Sequence, residues 1–168
     1  MSPPRRRPRS AGPATPATVA LDVLGVDYRG HTYRHDAAET GYGAEAAREL
    51  GVPAERIFKT LLVDTGDGLA VAVVPVAGQL DLKAMAAALG VKAVRLADPA
   101  DAARSSGYVI GGISPLGQKR RLPTVVDTSA TDQATIYVSG GRRGFQLELS
   151  PVELLRATDG SASPVARA

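Results

Sequence analysis

The strongest constraint in this chain is a pair of apolar runs, IFKTLLVDT at residues 57–65 and LAVAVVPV at 69–76, separated only by the turn around Gly66 to Gly68. Both are rich in β-branched and aliphatic side chains and of strand length, so they are expected to close on each other as a hairpin of two long strands. In the first run Ile57, Lys59, Leu61 and Val63 share one face, and Phe58, Thr60 and Leu62 share the other. Both faces are apolar enough to be buried. The remaining elements surround this hairpin. Thr15 and Pro16 suit the cap and first position of a helix that stops at Gly25, and 43–50 is a second helix closed by Gly51. Asp81 caps a third through Leu89, with Gly90 beyond it, and Asp98 with Pro99 opens a fourth. Ser150, Pro151 and Glu153 form a capping box for a last helix through Arg156. Further strands are expected at 31–34, 92–96, TVVD (124–127), ATIYV (134–138) and FQLEL (145–149). About seven strands mixed with four or five helices, without strict alternation, imply a single α+β domain with a mixed sheet.

Composition narrows the class. The 168 residues contain no Cys and no Trp, which excludes a disulfide framework, a thiolate metal site and a cysteine nucleophile. A cytoplasmic setting is expected. A chain of this length buries about 70% of the surface its unfolded form exposes, enough for a core without metal or staple. No run of 18 apolar residues occurs, so no membrane partner is expected. The aromatics are Phe58, Phe145 and five tyrosines, too few for rows of stacked bases. Charge is uneven. Arg5, Arg6, Arg7 and Arg9 lie in a Pro-rich opening without acids, and setting these four apart leaves 16 basic against 17 acidic side chains, a near-neutral domain. The expected organisation is a disordered Pro/Arg-rich tail at 1–14, a domain at 15–157 and a flexible tail at 158–168.

Three features carry candidate chemistry. Lys59 places an ammonium in an apolar strand row, which calls either for an anionic or polar partner or for a side chain that snorkels to water. The loop Gly111-Gly112-Ile113-Ser114-Pro115-Leu116-Gly117 lets backbone N–H groups approach a ligand, or is a plain surface turn. It is not a phosphate loop of the triphosphatase kind, because Gln118 separates Gly117 from Lys119 and no helix follows. Two basic clusters, Lys119-Arg120-Arg121 and Arg142-Arg143, adjoin glycine-rich turns and mark either an anionic-ligand site or solvated turns. His31 and His35 lack the companions a zinc site needs, and no nucleophile elbow supports a Ser-His-Asp triad. No metal and no cofactor are expected.

Five stretches, HTYRHDAAETGYG, RIFKTLLV, AVAVVPVAGQLDLK, GYVIGGISPLGQKRRLPTVVD and ATIYVSGGRRGFQLELS, occur in order over about three quarters of the chain. Together they resemble the YbaK-type cysteinyl-tRNA(Pro) deacylases, free-standing relatives of the editing domain inserted in bacterial prolyl-tRNA synthetases. The resemblance implies an α+β fold with a mixed, barrel-like sheet flanked by short helices, and a hydrolase that removes a wrongly attached amino acid from tRNA(Pro). It implies catalytic roles for Lys59, which orients the aminoacyl ester, and for Gly111, in the loop backbone that holds the aminoacyl group. Tyr33, Tyr42, Thr60, Gly112, Ser114, Pro115, Gly117, Ser139 and Gln146 are the implied substrate-binding residues. Lys119, Arg120, Arg121, Arg142 and Arg143 are the expected tRNA contacts. Two positions depart from the family pattern: Gly41 stands where relatives often carry Asn, and Gln146 where they often carry Asp.

A deacylase without cysteine, metal or triad takes its nucleophile from water or from the substrate. The resemblance implies the substrate's own thiol, with Cys-tRNA(Pro) the substrate, Cys-tRNA(Cys) a further one, and prolyl-tRNA synthetase the partner; no DNA or membrane partner is implied. A water-mediated deacylase of Ala-tRNA(Pro) or another small-amino-acid tRNA is the alternative. A non-catalytic tRNA- or synthetase-binding module is the second.

Overall fold

A computed structural model describes residues 12–168. The expected hairpin is its centre. In chain order the elements are α1 (Pro16–Leu24), β1 (Arg29–Thr32), α2 (Tyr42–Leu50), β2 (Phe58–Asp64), β3 (Leu69–Pro75), β4 (Gln79–Leu80), α3 (Leu82–Leu89) and β5 (Arg95–Leu96). They continue with α4 (Pro99–Ser106), β6 (Thr124–Asp127), β7 (Ile136–Arg142), β8 (Phe145–Leu149), α5 (Pro151–Thr158), β9 (Ser161–Ser163) and β10 (Ala166–Arg167). Strands β2 and β3 pair antiparallel from Phe58 opposite Pro75 to Asp64 opposite Leu69. Their turn is held by the Thr65 N–H donating to Gly68 O (2.9 Å) and the Gly66 N–H donating to Asp64 Oδ1 (2.8 Å).

This hairpin lies inside a five-stranded mixed sheet of order β5-β2-β3-β6-β9, with β6 parallel to β3 and β9 parallel to β6. Alternation sends Phe58, Leu62, Val71 and Val73 to one side and Val63, Ala70, Ala72 and Val74 to the other. Each side meets its own layer. The first packs on Ala17 and Leu21 of α1, Leu154 of α5 and the strands of a second sheet, and the second on Met85 of α3 and Val165. Ala70 to Val74 are all buried, which explains why this run carries no polar residue.

The second sheet is antiparallel, of order β1-β8-β7, and touches the first through a parallel bridge from Ile57 to Tyr137. Its inner face is Ile136, Val138, Phe145, Leu147 and Leu149. The alternate residues Thr135, Tyr137, Ser139, Gln146 and Glu148 face the other way and are polar. A third pair, β4 with β10, is antiparallel. The result is the expected α+β domain, its strands divided among separate sheets rather than closed as a barrel. No helix among the described residues is long and apolar enough to cross a membrane.

Several expectations need correction. The strand expected at 31–34 lies at Arg29–Thr32, and the one at 92–96 shrinks to Arg95–Leu96, because β2 offers only Asp64 and Val63 as partners there. At α5 the Ser150 hydroxyl accepts from the Glu153 N–H (3.2 Å), but Glu153 turns its carboxylate to Arg156 (2.7 Å), so half of the capping box forms. The full reciprocal box is at α1, between Thr15 and Thr18. The stretch 158–168, expected as a loose tail, is built into the fold: β9 extends the main sheet, Val165 is fully buried, and Asp127 Oδ1 accepts from the N–H groups of Val165 and Ala166 (both 2.9 Å). Its small polar composition hid this, since the pairing relies on backbone groups. The expected N-terminal tail at 1–14 falls, save for residues 12–14, outside the described residues.

Candidate active site

The helix α2, strand β2, the glycine loop and the polar face of the β7–β8 sheet enclose a cavity of about 520 Å³. Its walls are mostly apolar, from Ile57, Leu62, Val76, Ala102, Ile110 and Ile113, with polar side chains from Tyr42, Lys59, Thr60, Ser139 and Gln146. That is the size and mix of a small-ligand site. Six of the residues singled out in the sequence therefore meet on one cavity: Tyr42, Lys59, Thr60, Gly111, Ser139 and Gln146.

Lys59 is half-buried, and its Nζ donates to Gly78 O at 3.2 Å. Among the described residues no carboxylate pairs with it. An ammonium with three donors and one carbonyl partner retains capacity for an anionic or carbonyl oxygen. Thr60 Oγ1 and Gln146 Oε1 are buried without a hydrogen-bond partner. Such atoms are costly unless something fills them, which points to a polar ligand. Tyr33 does not line the cavity but touches it through Gln146: burial, reinforced by the Glu45 charge, raises its phenol above the ordinary value against an opposing hydrogen bond from Gln146.

Gly111 lies at φ 85°, and a Cβ there would sit 2.7–2.8 Å from three ring atoms of Tyr42. The loop backbone thus lies flush against the Tyr42 ring. Arg143 stacks on the same ring, its Cζ 5.0 Å from the centroid, and its Nε donates to Ile110 O at 2.8 Å. His35 also packs against this ring, at 5.8 Å between ring centroids, its Nδ1 2.6 Å from Oε1 of the buried Glu45. Glu45 Oε2 also accepts from the Asp36 N–H (2.9 Å). Burial alone would raise the Glu45 carboxyl, but the hydrogen bonds from His35 and Asp36 and the His35 charge outweigh it and hold it below the ordinary range. His35 and Glu45 were not singled out as site residues. The available signal was a glutamate on the inner face of a short helix ten residues after a histidine.

The rest of the glycine loop does other work. Ser114 is fully buried, its Oγ accepting from Leu116 N–H (3.2 Å) and its carbonyl from Gln118 Nε2 (3.0 Å). A Cβ on Gly117 would lie 2.3 Å from Pro16 O, and one on Gly112 2.8 Å from Arg142 Cα. Gly112, Ser114, Pro115 and Gly117, expected to bind substrate, are not brought to the cavity wall; Gly117 lies against α1, Gly112 against the β7–β8 turn, and Ser114 bonds within the loop. Lys119 and Arg120 donate their backbone N–H groups to Ser106 O and Ser105 O at the end of α4, and Arg121 lies 4.0 Å from Asp159. These three do not line the cavity either.

A second cleft, about 770 Å³, lies by Arg29, Thr135, Glu148 and Glu153. Its floor is already paired: Glu148 takes His31 Nε2 at 3.0 Å and the Thr135 hydroxyl at 2.6 Å. Of the buried unpaired polar atoms, those of Thr60 and Gln146 lie at the first cavity, those of Ser105 and Gln118 lie at neither, and none lies at the second cleft. Among the described residues no group of three or more His, Asp or Glu could hold a metal ion.

Residues 37–157 match the model of the aminoacyl-tRNA editing domain family. A protein of Enterococcus faecalis (strain ATCC 700802 / V583), EbsC, described as a candidate Cys-tRNA(Pro)/Cys-tRNA(Cys) deacylase, is 39% identical over 135 residues, 79% of this chain and 82% of its own. The crystal structure of a hypothetical protein superposes with a TM-score of 0.82 at 30% identity, covering 91% of this chain and 100% of that one. That of a candidate trans-editing enzyme for prolyl-tRNA synthetase gives 0.81 at 24% identity over 94% and 100%, a likeness of fold.

Proposed function

The chain belongs to the aminoacyl-tRNA editing family, and from that premise we propose that it removes cysteine from mischarged tRNA(Pro), acting in trans beside prolyl-tRNA synthetase in the cytoplasm. The observation that carries this reading is the convergence of Lys59, Gly111, Thr60, Ser139 and Gln146 on one small, mostly apolar cavity with unpaired buried acceptors. An aminoacyl ester has the matching parts: a small side chain, an α-amino donor and a carbonyl on which negative charge develops.

The substrate supplies the nucleophile. Its thiol loses a proton and the sulfur attacks the ester carbonyl of the same residue. The carbonyl–ribose oxygen bond breaks and the ribose oxygen takes up a proton, which frees the tRNA and leaves a cyclic thioester that water opens to cysteine. Holding thiol and carbonyl together replaces a bimolecular encounter, an effect that reaches about 7–11 kcal/mol in well-oriented systems. Lys59 orients the ester end. The Gly111 N–H stabilises the developing oxyanion, a donation that suits an amide for which no acceptor exists among the described residues. Arg142, Lys119, Arg120 and Arg121 supply phosphate contacts.

A substrate panel tests this. Cysteinyl-tRNA(Pro) is expected to be cleaved far faster than seryl- or alanyl-tRNA(Pro), because a hydroxyl is a much poorer nucleophile than a partly ionised thiol and a methyl group is none. The rate with cysteine rises with pH toward a plateau near the thiol's pKa, reference value about 8.5. Comparable rates on all three would overturn thiol assistance in favour of water attack, and no acceleration over buffer on any would leave a binding module.

A further inference from the structure

Arg143 was expected at an RNA phosphate; the residue is exposed, but its guanidinium is held by contacts within the protein. The Nε donates to Ile110 O and the plane covers the Tyr42 ring. The carbonyl of Ile110 and the N–H of Gly111 belong to one peptide unit, and no peptide bond among the described residues is cis. In a planar trans peptide the oxygen and the hydrogen point to opposite sides. Fixing the oxygen on Arg143 therefore fixes the direction of the Gly111 N–H, away from Arg143. A cation on the oxygen also polarises the amide and strengthens it as a donor. The second contact acts on the same point from above, since the Tyr42 ring held by Arg143 leaves no room for even a Cβ on Gly111.

We propose that Arg143 is a positioning residue for the deacylation step, aiming and polarising the Gly111 N–H and clamping Tyr42 over it, rather than a phosphate contact. The proposal rests on the deacylase reading of the cavity and adds a residue to it that does not line the cavity wall. It separates the two neighbours of the β7–β8 turn. Both are exposed, but Arg142, with no side-chain partner among the described residues, is left for the RNA, while Arg143, held on Ile110 O and the Tyr42 ring, serves the chemistry.

The test compares Arg143→Ala and Arg143→Gln with the unaltered protein on cysteinyl-tRNA(Pro) and on 3′-cysteinyl-adenosine, which has no phosphate. A positioning role predicts that Arg143→Ala lowers kcat by a similar factor on both substrates, on the order of 10- to 100-fold, with KM little changed. Arg143→Gln keeps a neutral donor for Ile110 O and is expected to regain part of that kcat. A phosphate contact predicts the reverse: KM rises on the tRNA alone and the salt slope falls by about one, which would overturn the proposal. A second arm needs no turnover. The Gly111 amide resonance in the free protein is expected to move in Arg143→Ala and to return partway in Arg143→Gln. An unmoved resonance overturns the proposal. If the unaltered protein cleaves neither substrate, the deacylase reading fails instead, and the Gly111 resonance still decides what Arg143 does.

Discussion

The two ends of the glycine loop resemble each other in sequence and differ in what they meet. Gly111 and Gly117 both have positive φ, 85° and 63°. Against Gly111 stands a tyrosine ring at the cavity wall, whereas against Gly117 stands the backbone of Pro16 at the start of α1. A side chain can give way and a backbone built into a helix cannot. One end of the motif thus borders the cavity and the other is a joint in the fold, so a motif match does not give all its residues the same surroundings.

The largest effects expected are those that break this contrast. Gly111→Ala carries the strain of its positive φ and relieves the ring clash only by displacing Tyr42 from beneath Arg143, which destroys the pocket and misaims the loop; kcat/KM for Cys-tRNA(Pro) is expected to fall on the order of 100-fold. Gly117→Ala meets Pro16 O and the positive φ together, and is expected to cost about 2–3 kcal/mol of stability while the remaining folded protein keeps its turnover number. Thermal unfolding measured beside initial rates separates the two. If both variants lose stability and neither loses activity per folded molecule, the two ends do the same job and the contrast is wrong.

Lys59→Ala sharpens it from the opposite wall. The side chain contributes one hydrogen bond to Gly78 O, so stability is expected to change little, whereas loss of ester orientation is expected to lower the rate roughly 100-fold. Near-normal turnover by the folded variant would remove Lys59 from the mechanism.

How much of this could be seen in the sequence follows from how local each signal is. The β2–β3 hairpin was legible because uninterrupted apolar runs and a Gly-Asp-Gly turn leave few alternatives. Helix starts were legible through Thr15, Asp81, Asp98 and Ser150, whose side chains all accept from a backbone N–H in the first turn. Lys59 stood out as a charge in an apolar row. What could not be read is set by contacts across the chain. The Glu45–His35 pair looks like ordinary surface charge until α2 folds against residues 35–36. The stacking of Arg143 on Tyr42 joins positions a hundred residues apart. The C-terminal segment offers no apolar run, and it is held by the backbone pairing of β9 with β6 and of β10 with β4 and by the Asp127 carboxylate.

That carboxylate gives a pH-dependent prediction for the structural half of the molecule. Burial alone would raise the Asp127 carboxyl, but hydrogen bonds from Ser129 and from the amides of Val165 and Ala166 outweigh it and hold it below the ordinary value of 3.8. A group lowered by folding contributes its full stability above the unfolded value and loses it as pH falls through the folded one. The C-terminal segment is therefore expected to stay clasped above about pH 4 and to release in stronger acid. Asp127→Asn is expected to cost about 1–3 kcal/mol at neutral pH and to flatten the acid limb of the stability curve. Amide exchange of Val165 and Ala166 checks it; unchanged protection in the variant would mean that strand pairing alone holds the segment.

The smallest effect expected concerns the two basic clusters. Arg142 belongs to the turn whose backbone lies against Gly112, beside the cavity, while Lys119 to Arg121 leave the loop at the end of α4. On the proposed reading, a phosphate near the ester end of the acceptor stem meets Arg142 first, and phosphates farther along meet the other three. Each lost contact reduces the slope of log affinity against log salt by roughly 0.7–0.9, a change of only a few-fold at physiological salt. Replacing Arg142 by Ala is therefore expected to weaken both full-length tRNA(Pro) and a minihelix of its acceptor stem. Replacing Lys119, Arg120 and Arg121 together is expected to weaken the full-length tRNA more than the minihelix. Salt titrations of kcat/KM on the two RNAs measure both slopes, and equal losses on both RNAs from either set would mean that the clusters are not ordered along the acceptor arm as proposed.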